Sequence, residues 1–140
     1  MNSRFLLAGI LVIALLALGS MRLVQITGST TSAGGSQEVR VVIDDGSKVS
    51  EYKVLLSPRE TAFDALKHAV TSETAVEYEM KAPSVLITGI NGVKQDQDHY
   101  WMYFVNEKMP QVGCDYYYPV SGDVVKFRYM TAEEAAQYLR

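Results

Sequence analysis

Cysteine is almost absent from this chain: Cys114 stands alone and can close no internal disulfide. Stability therefore rests on packing. With only two histidines beside that cysteine, no Cys/His cluster has metal-ligand spacing, and a structural zinc is excluded on counts. Basic charge is scarce as well. Lys and Arg number 13 against 16 Asp and Glu, and the net charge of -3 leaves no electrostatic case for a nucleic-acid partner. A Gly-rich phosphate loop and a Gly-x-Ser-x-Gly elbow are both missing. His68 and His99 have no obvious nucleophile neighbour. Cys114 lies beside apolar residues with no basic residue near, the setting of an inert, partly buried thiol. Asp96, Asp98 and His99 form a polar cluster with carboxylates for a cation, though its ordinary reading is a solvated loop. Nothing here argues for catalysis, so the expectation is that the chain is no enzyme and holds no metal.

Apolar sequence is plentiful at the N-terminus. Met1 to Arg4 is short and positive, Phe5 to Gly19 is almost purely apolar, and Arg22 closes the run. A positive start before an apolar run is a secretory or anchoring signal. The run is shorter than the ~20 residues of a spanning helix, yet it just spans with Ser20, Met21 and a snorkelling Arg22. Thr31-Ser32-Ala33 offers the small residues that cleavage needs, and no cysteine follows the run to carry a lipid anchor. Residues 1–26 are thus expected to be a signal peptide or a membrane anchor, both readings standing. The positive-inside rule then makes the rest extracytoplasmic, membrane-anchored or secreted. Residues 27–37 hold little to bury and read as a flexible tether. Residues 38–140 remain, enough for one small domain.

Within that domain, Val39, Val41 and Ile43 alternate with polar residues, Asp45-Gly46 turns the chain, and Tyr52, Val54 and Leu56 alternate again. This predicts a β-hairpin with one buried face. Thr61 with Asp64, or Ser57 with Glu60, caps a helix whose apolar face is Phe63, Leu66 and Val70. Val76 to Met80 is a short strand or extended loop. Val85 to Ile90 is a strand ended by Asn91-Gly92, and Lys94 to His99 is a polar loop. Tyr100 to Val105 is a strand, Asp115 to Val120 a short aromatic segment, and Val124 to Tyr129 the last strand. Thr131 and Glu134 cap a final helix to about Leu139. One helix on a small mixed β-sheet predicts an α+β, β-grasp-like fold.

Tyr100, Trp101, Tyr103 and Phe104 share one strand, and Tyr116, Tyr117 and Tyr118 a second segment. If the two pair, one face is core and the other carries rings with polar handles, suited to a flat amphipathic ligand or a protein partner. Ordinary core packing and cross-strand pairing explain many such rings equally well. Side chains alternate along a strand, so Met102 and Phe104 are assigned to the core, and Trp101 and Tyr103 to the wetter face. Asn91, Gln95 and Tyr117 are the candidate hydrogen-bonding partners of a ligand stacked on Trp101 and Tyr103.

The ordered set Ile90-Asn91-Gly92-Val93, Tyr100 to Asn106, Tyr118, Ser121-Gly122-Asp123 and Lys126-Phe127-Arg128-Tyr129 resembles the C-terminal domain of transcobalamin and intrinsic factor. It is closer still to the prokaryotic domain-of-unknown-function family grouped with them. Thr61 to Leu66 is similar to that family's helix start, and the likeness runs from about Val39 to Tyr129. It implies an extracellular α+β domain. In transcobalamin this domain caps one side of cobalamin while a helical domain holds the other, and no helical domain is present here. The resemblance implies a non-enzymatic ligand-binding module, with cobalamin or a similar flat cofactor as ligand. The alternative is a cell-surface module that binds a protein or polysaccharide through the same aromatic residues.

Overall fold

A computed structural model describes residues 35–139. The expected signal or anchor over residues 1–26, and most of the expected tether, lie outside the described residues. Among the described residues no helix is long and apolar enough to cross a membrane.

The first hairpin forms as its alternation requires. β1 (Gln37–Asp44) and β2 (Val49–Leu56) run antiparallel, with Val39 opposite Val54 and Val41 opposite Tyr52. The Asp45 carboxylate holds the turn, accepting from the Ser47 N–H at 2.9 Å and the Lys48 N–H at 2.7 Å. Gly46 supplies the left-handed backbone at φ +85°. β1 begins one residue ahead of the expected Glu38. Gln37 is tied in because its Oε1 accepts from the Ser121 N–H at 2.8 Å.

α1 (Ala62–Ala69) starts at Thr61 with a reciprocal capping box. Thr61 Oγ1 accepts from the Asp64 N–H at 3.3 Å, and Asp64 Oδ2 accepts from the Thr61 N–H at 2.9 Å. The rival pair forms too, as a separate turn ahead of the helix, with the Ser57 N–H donating to Glu60 at 2.7 Å. α1 buries Ala62, Phe63, Ala65, Leu66 and Ala69.

Five more strands follow, with a short helix at the end: β3 (Val76–Lys81), β4 (Ser84–Ile90), β5 (Val93–Lys94), β6 (His99–Val105), β7 (Val124–Thr131) and α2 (Ala132–Ala136). The fold is α+β, built on two sheets. The larger has the order β2-β1-β7-β6, with β1 and β7 parallel and the other pairs antiparallel; the smaller has the order β3-β4-β5. Asn91 and Gly92, expected to end a strand, both take left-handed φ (50° and 83°). They form the tight turn that sends β4 back as β5.

The inner face of the larger sheet carries Val39, Val41, Ile43, Val54, Leu56, Val125 and Phe127 against α1. Trp101 and Val105 join this core, and Tyr103 packs on it. This corrects the expected faces of β6. Trp101 is 5% exposed and sits in the main core, whereas Phe104 lies on the opposite face. There α2 covers it, in a second small cluster with Met130 and Ala135 and with Met102 packed alongside. Phe104 meets the Tyr138 ring edge-on at 4.8 Å. A second correction concerns Asp115 to Val120. It pairs with no strand among the described residues, and it lies over the start of α1 instead. The helix's first N–H groups are satisfied by this segment and the residue before it: Ala62 donates to the Tyr117 carbonyl at 2.8 Å and Phe63 to that of Cys114 at 2.9 Å.

Candidate functional site

β6 is the outer strand of its sheet, and β4 of the other sheet runs past it without forming a ladder. Between them is a cleft of about 220 Å³. Val85, Leu86 and Ile87 form one wall, Trp101, Met102 and Tyr103 the other, with Met109, Pro110, Gly113, Cys114 and Phe127 completing it. No charged side chain lines it.

The β6 rings are fixed from several sides. The Trp101 indole N–H donates to the Val93 carbonyl at 2.9 Å, and its ring tilts against Tyr129 at 5.3 Å. Tyr103 stacks on Phe127 at 6.1 Å, and its hydroxyl donates to the Val112 carbonyl. The polar handles that suggested a wet face are thus satisfied inside the fold. Burial, above all, holds the Tyr103 phenol well above its ordinary range, with Cys114, Tyr117 and Asp115 adding to it. Burial likewise pushes the Cys114 thiol up to about 12, reinforced by the Asp115 carboxylate. That thiol stays protonated, and the thiolate is the nucleophilic form.

The structure brings Trp101 and Tyr103 together at this cleft and leaves the other three candidates elsewhere. Asn91 is exposed in the β4–β5 turn. The Gln95 N–H donates to the Thr88 carbonyl at 2.8 Å, and its Oε1 is buried with no hydrogen-bond partner. Tyr117 borders a separate depression with Val105, Asn106 and Met109. Desolvation, helped by Asp123, raises its phenol. The residues missed from sequence are Val85, Met109, Pro110 and Gly113. Their proximity is set by long-range packing that the sequence does not announce: a Cβ at Gly113 would lie 2.5 Å from the Ser84 Cβ, 29 residues away.

The polar cluster of the Asp96 loop is held within the loop and by β7, whose Tyr129 hydroxyl donates to Asp96 Oδ2 at 3.2 Å. Asp96 Oδ1 accepts from the Asp98 and His99 N–H groups, each at 2.8 Å, which holds its carboxyl down at about 2. His99 stacks on Tyr129 at 5.2 Å. His68 meets Glu60 at 2.7 Å on the exposed side of α1. Among the described residues no group of three or more His, Cys, Asp or Glu is placed to hold a metal ion.

The model of a family described as "Domain of unknown function (DUF4430)" matches residues 60–131, about half of the chain. No curated protein matches. Among solved structures, a Ruminococcus gnavus ATCC 29149 protein described as a candidate metal binding protein superposes with TM-score 0.58 at 13% identity. The match covers 69% of this chain and 98% of that one. Haptocorrin in complex with Cbi superposes with TM-score 0.63 at 14% identity, over 70% of this chain and 26% of haptocorrin. This chain therefore spans about a quarter of haptocorrin's length. At these identities the likeness is one of fold.

Proposed function

The chain belongs to the family described as Domain of unknown function (DUF4430), and from that premise we propose that it is a non-enzymatic, extracytoplasmic ligand-binding module whose site is the β4–β6 cleft. The observation that carries this reading is the cleft itself: apolar, uncharged, and walled by the only tryptophan in the chain. The ligand class we favour is a flat cofactor of the cobalamin type. What supports it is the fold shared with haptocorrin, whose complex holds Cbi, in line with the transcobalamin resemblance of the sequence.

Size limits how such a ligand is held. A cleft of about 220 Å³ is below the ~300–1,000 Å³ of pockets that enclose a drug-sized molecule. A corrin ring would rest an edge or side arm in it and leave its other face for a second protein. A non-catalytic role is supported by the protonated, buried Cys114 thiol and by the pairing of both histidines with nearby carboxylates.

Titration with cobalamin, following Trp101 fluorescence, tests the reading. Saturable quenching is expected. A fluorescence response that never saturates, or a bound complex in which Trp101 is unperturbed, would remove the site.

A second reading is favoured by a different surface. Tyr116, Tyr118 and Val120 are each more than half exposed, while Tyr117 packs on the core and Pro119 is buried. An alternating ridge of outward rings suits a protein or polysaccharide partner at the cell surface. Tyr116→Ser with Tyr118→Ser would abolish such binding and leave cobalamin titration unchanged.

A further inference from the structure

We propose that the β6 edge at Trp101 and Tyr103 takes an extended polypeptide segment as an added strand, with the segment's apolar side chains seated in the β4–β6 cleft. The inference rests on the cleft being a binding site, and it names a peptide backbone as what binds there.

The hydrogen-bond phase of β6 carries the argument. In an antiparallel ladder, alternate residues turn both backbone groups toward the partner strand and the others turn both away. The Asn106 N–H donates to the Val124 carbonyl at 3.0 Å, which sets that phase. With Val105 opposite Val125, it follows that Phe104, Met102 and Tyr100 bond to β7. Val105, Tyr103, Trp101 and His99 therefore point their N–H and C=O groups outward.

The ends of this outward row are already engaged. Val105 exchanges bonds of 2.8 and 3.0 Å with Lys108, and the His99 carbonyl accepts from the Asp96 N–H at 3.1 Å. In the middle, the backbone groups of Trp101 and Tyr103 have no protein partner among the described residues. As whole residues Trp101 is 5% exposed and Tyr103 half-buried, and backbone groups away from water are almost always paired. These are orphan groups at the wall of a cleft.

The opposite wall narrows the choice. On β4 the Val85 N–H is already taken by Asp115 Oδ1 at 3.3 Å, so one donor of that wall is spent. The cleft carries no charged side chain, so the complementary occupant is uncharged there. A neutral extended chain meets both demands. Its backbone completes the ladder on β6, and every second side chain enters an apolar space too small for a whole cofactor. Ordered water is the competing occupant of the same groups.

The test uses the full-length chain, an array of random heptapeptides and amide hydrogen exchange. Heptapeptides with apolar residues at alternate positions are expected to bind, and to slow exchange of the Trp101 and Tyr103 amides by roughly tenfold or more. N-methylation of one alternate set of peptide amides should abolish binding, and of the other set should spare it. The proposal is overturned if no heptapeptide binds or if protection appears at other amides. It is equally overturned if the two N-methyl series behave alike, or if both amides already exchange slowly in the free protein. Cobalamin titrated in parallel separates the two ideas: quenching without peptide binding sinks strand addition alone, and peptide binding without quenching sinks the corrinoid alone.

Discussion

The indole N–H of Trp101 donates to the main-chain carbonyl of Val93 at 2.9 Å, and so a side chain of the larger sheet fastens the smaller one. Among the described residues no backbone ladder joins these sheets, so this bond and the one from the Tyr129 hydroxyl to the Lys94 carbonyl at 2.8 Å bear on the width of the cleft.

Trp101→Ala is expected to cost about 3–5 kcal/mol, because it empties a buried aromatic site. Trp101→Phe keeps most of the packing but leaves the Val93 carbonyl unpaired, for about 1–3 kcal/mol. Urea unfolding measures both. A loss under about 1 kcal/mol for the alanine variant would show Trp101 to be a surface residue.

Gly113 is held against Ser84, where a Cβ would also come within 2.8 Å of Asp115 Oδ1. Gly113→Ala should therefore destabilise by about 1–3 kcal/mol through overpacking. Adding Ser84→Gly removes the nearest atoms and should recover part of that loss. Equal stability of the single and double variants would show that the clash is relieved some other way.

Alkaline pH should weaken the fold in a defined window. Burial raises the Cys114 thiol from 9.0 to about 12, so the fold favours the neutral form. That contribution is complete below about pH 9 and is lost as the pH rises towards 12. The Tyr103 phenol shifts the same way for the same leading cause. The urea midpoint should fall across this range, and Cys114→Ala should make the fall shallower. Identical pH profiles for the two proteins would remove the thiol from the account.

A chain beginning at Gly35 should fold by itself, and one beginning at Glu38 should be measurably weaker. The shorter chain loses the Gln37 side-chain amide oxygen, Oε1, that accepts from the Ser121 N–H at 2.8 Å and its hydroxyl at 3.0 Å. The difference expected is about 1 kcal/mol, read from thermal or urea unfolding. Matching stabilities would place the true start of the domain at Glu38.

Local chemistry was legible in the sequence wherever it was self-contained. The Asp45-Gly46 turn, the Thr61–Asp64 cap and the Thr131–Glu134 cap each appear as read, since every partner lies within a few residues. The faces of β6 were not legible, for a definite reason. Met102 and Phe104 looked like core because they are the more apolar pair, and that reasoning assumed a single core. The sheet has two, and α2 with Met130 makes the second. In turn, the handles of Trp101 and Tyr103 implied water, while their partners proved to be the carbonyls of Val93 and Val112. Both carbonyls belong to other segments, and nothing local announces such a contact. For β6, the sequence therefore read the strand and inverted its faces.

The parallel pairing of β1 with β7 also dictates when this domain can fold as it is made. Gln37 and its hydrogen-bond partner Ser121 stand 84 residues apart, and β7 leaves the ribosome after every other strand of the domain. Until it arrives, β1 has a neighbour on only one side and the Val41–Val125 seam of the core is unmade. Nascent chains stalled short of Val124 should therefore hold at most the hairpin and α1, and should be digested readily by protease. The transition to resistance is expected as one late step, with the slow closure typical of strands that meet across most of a domain.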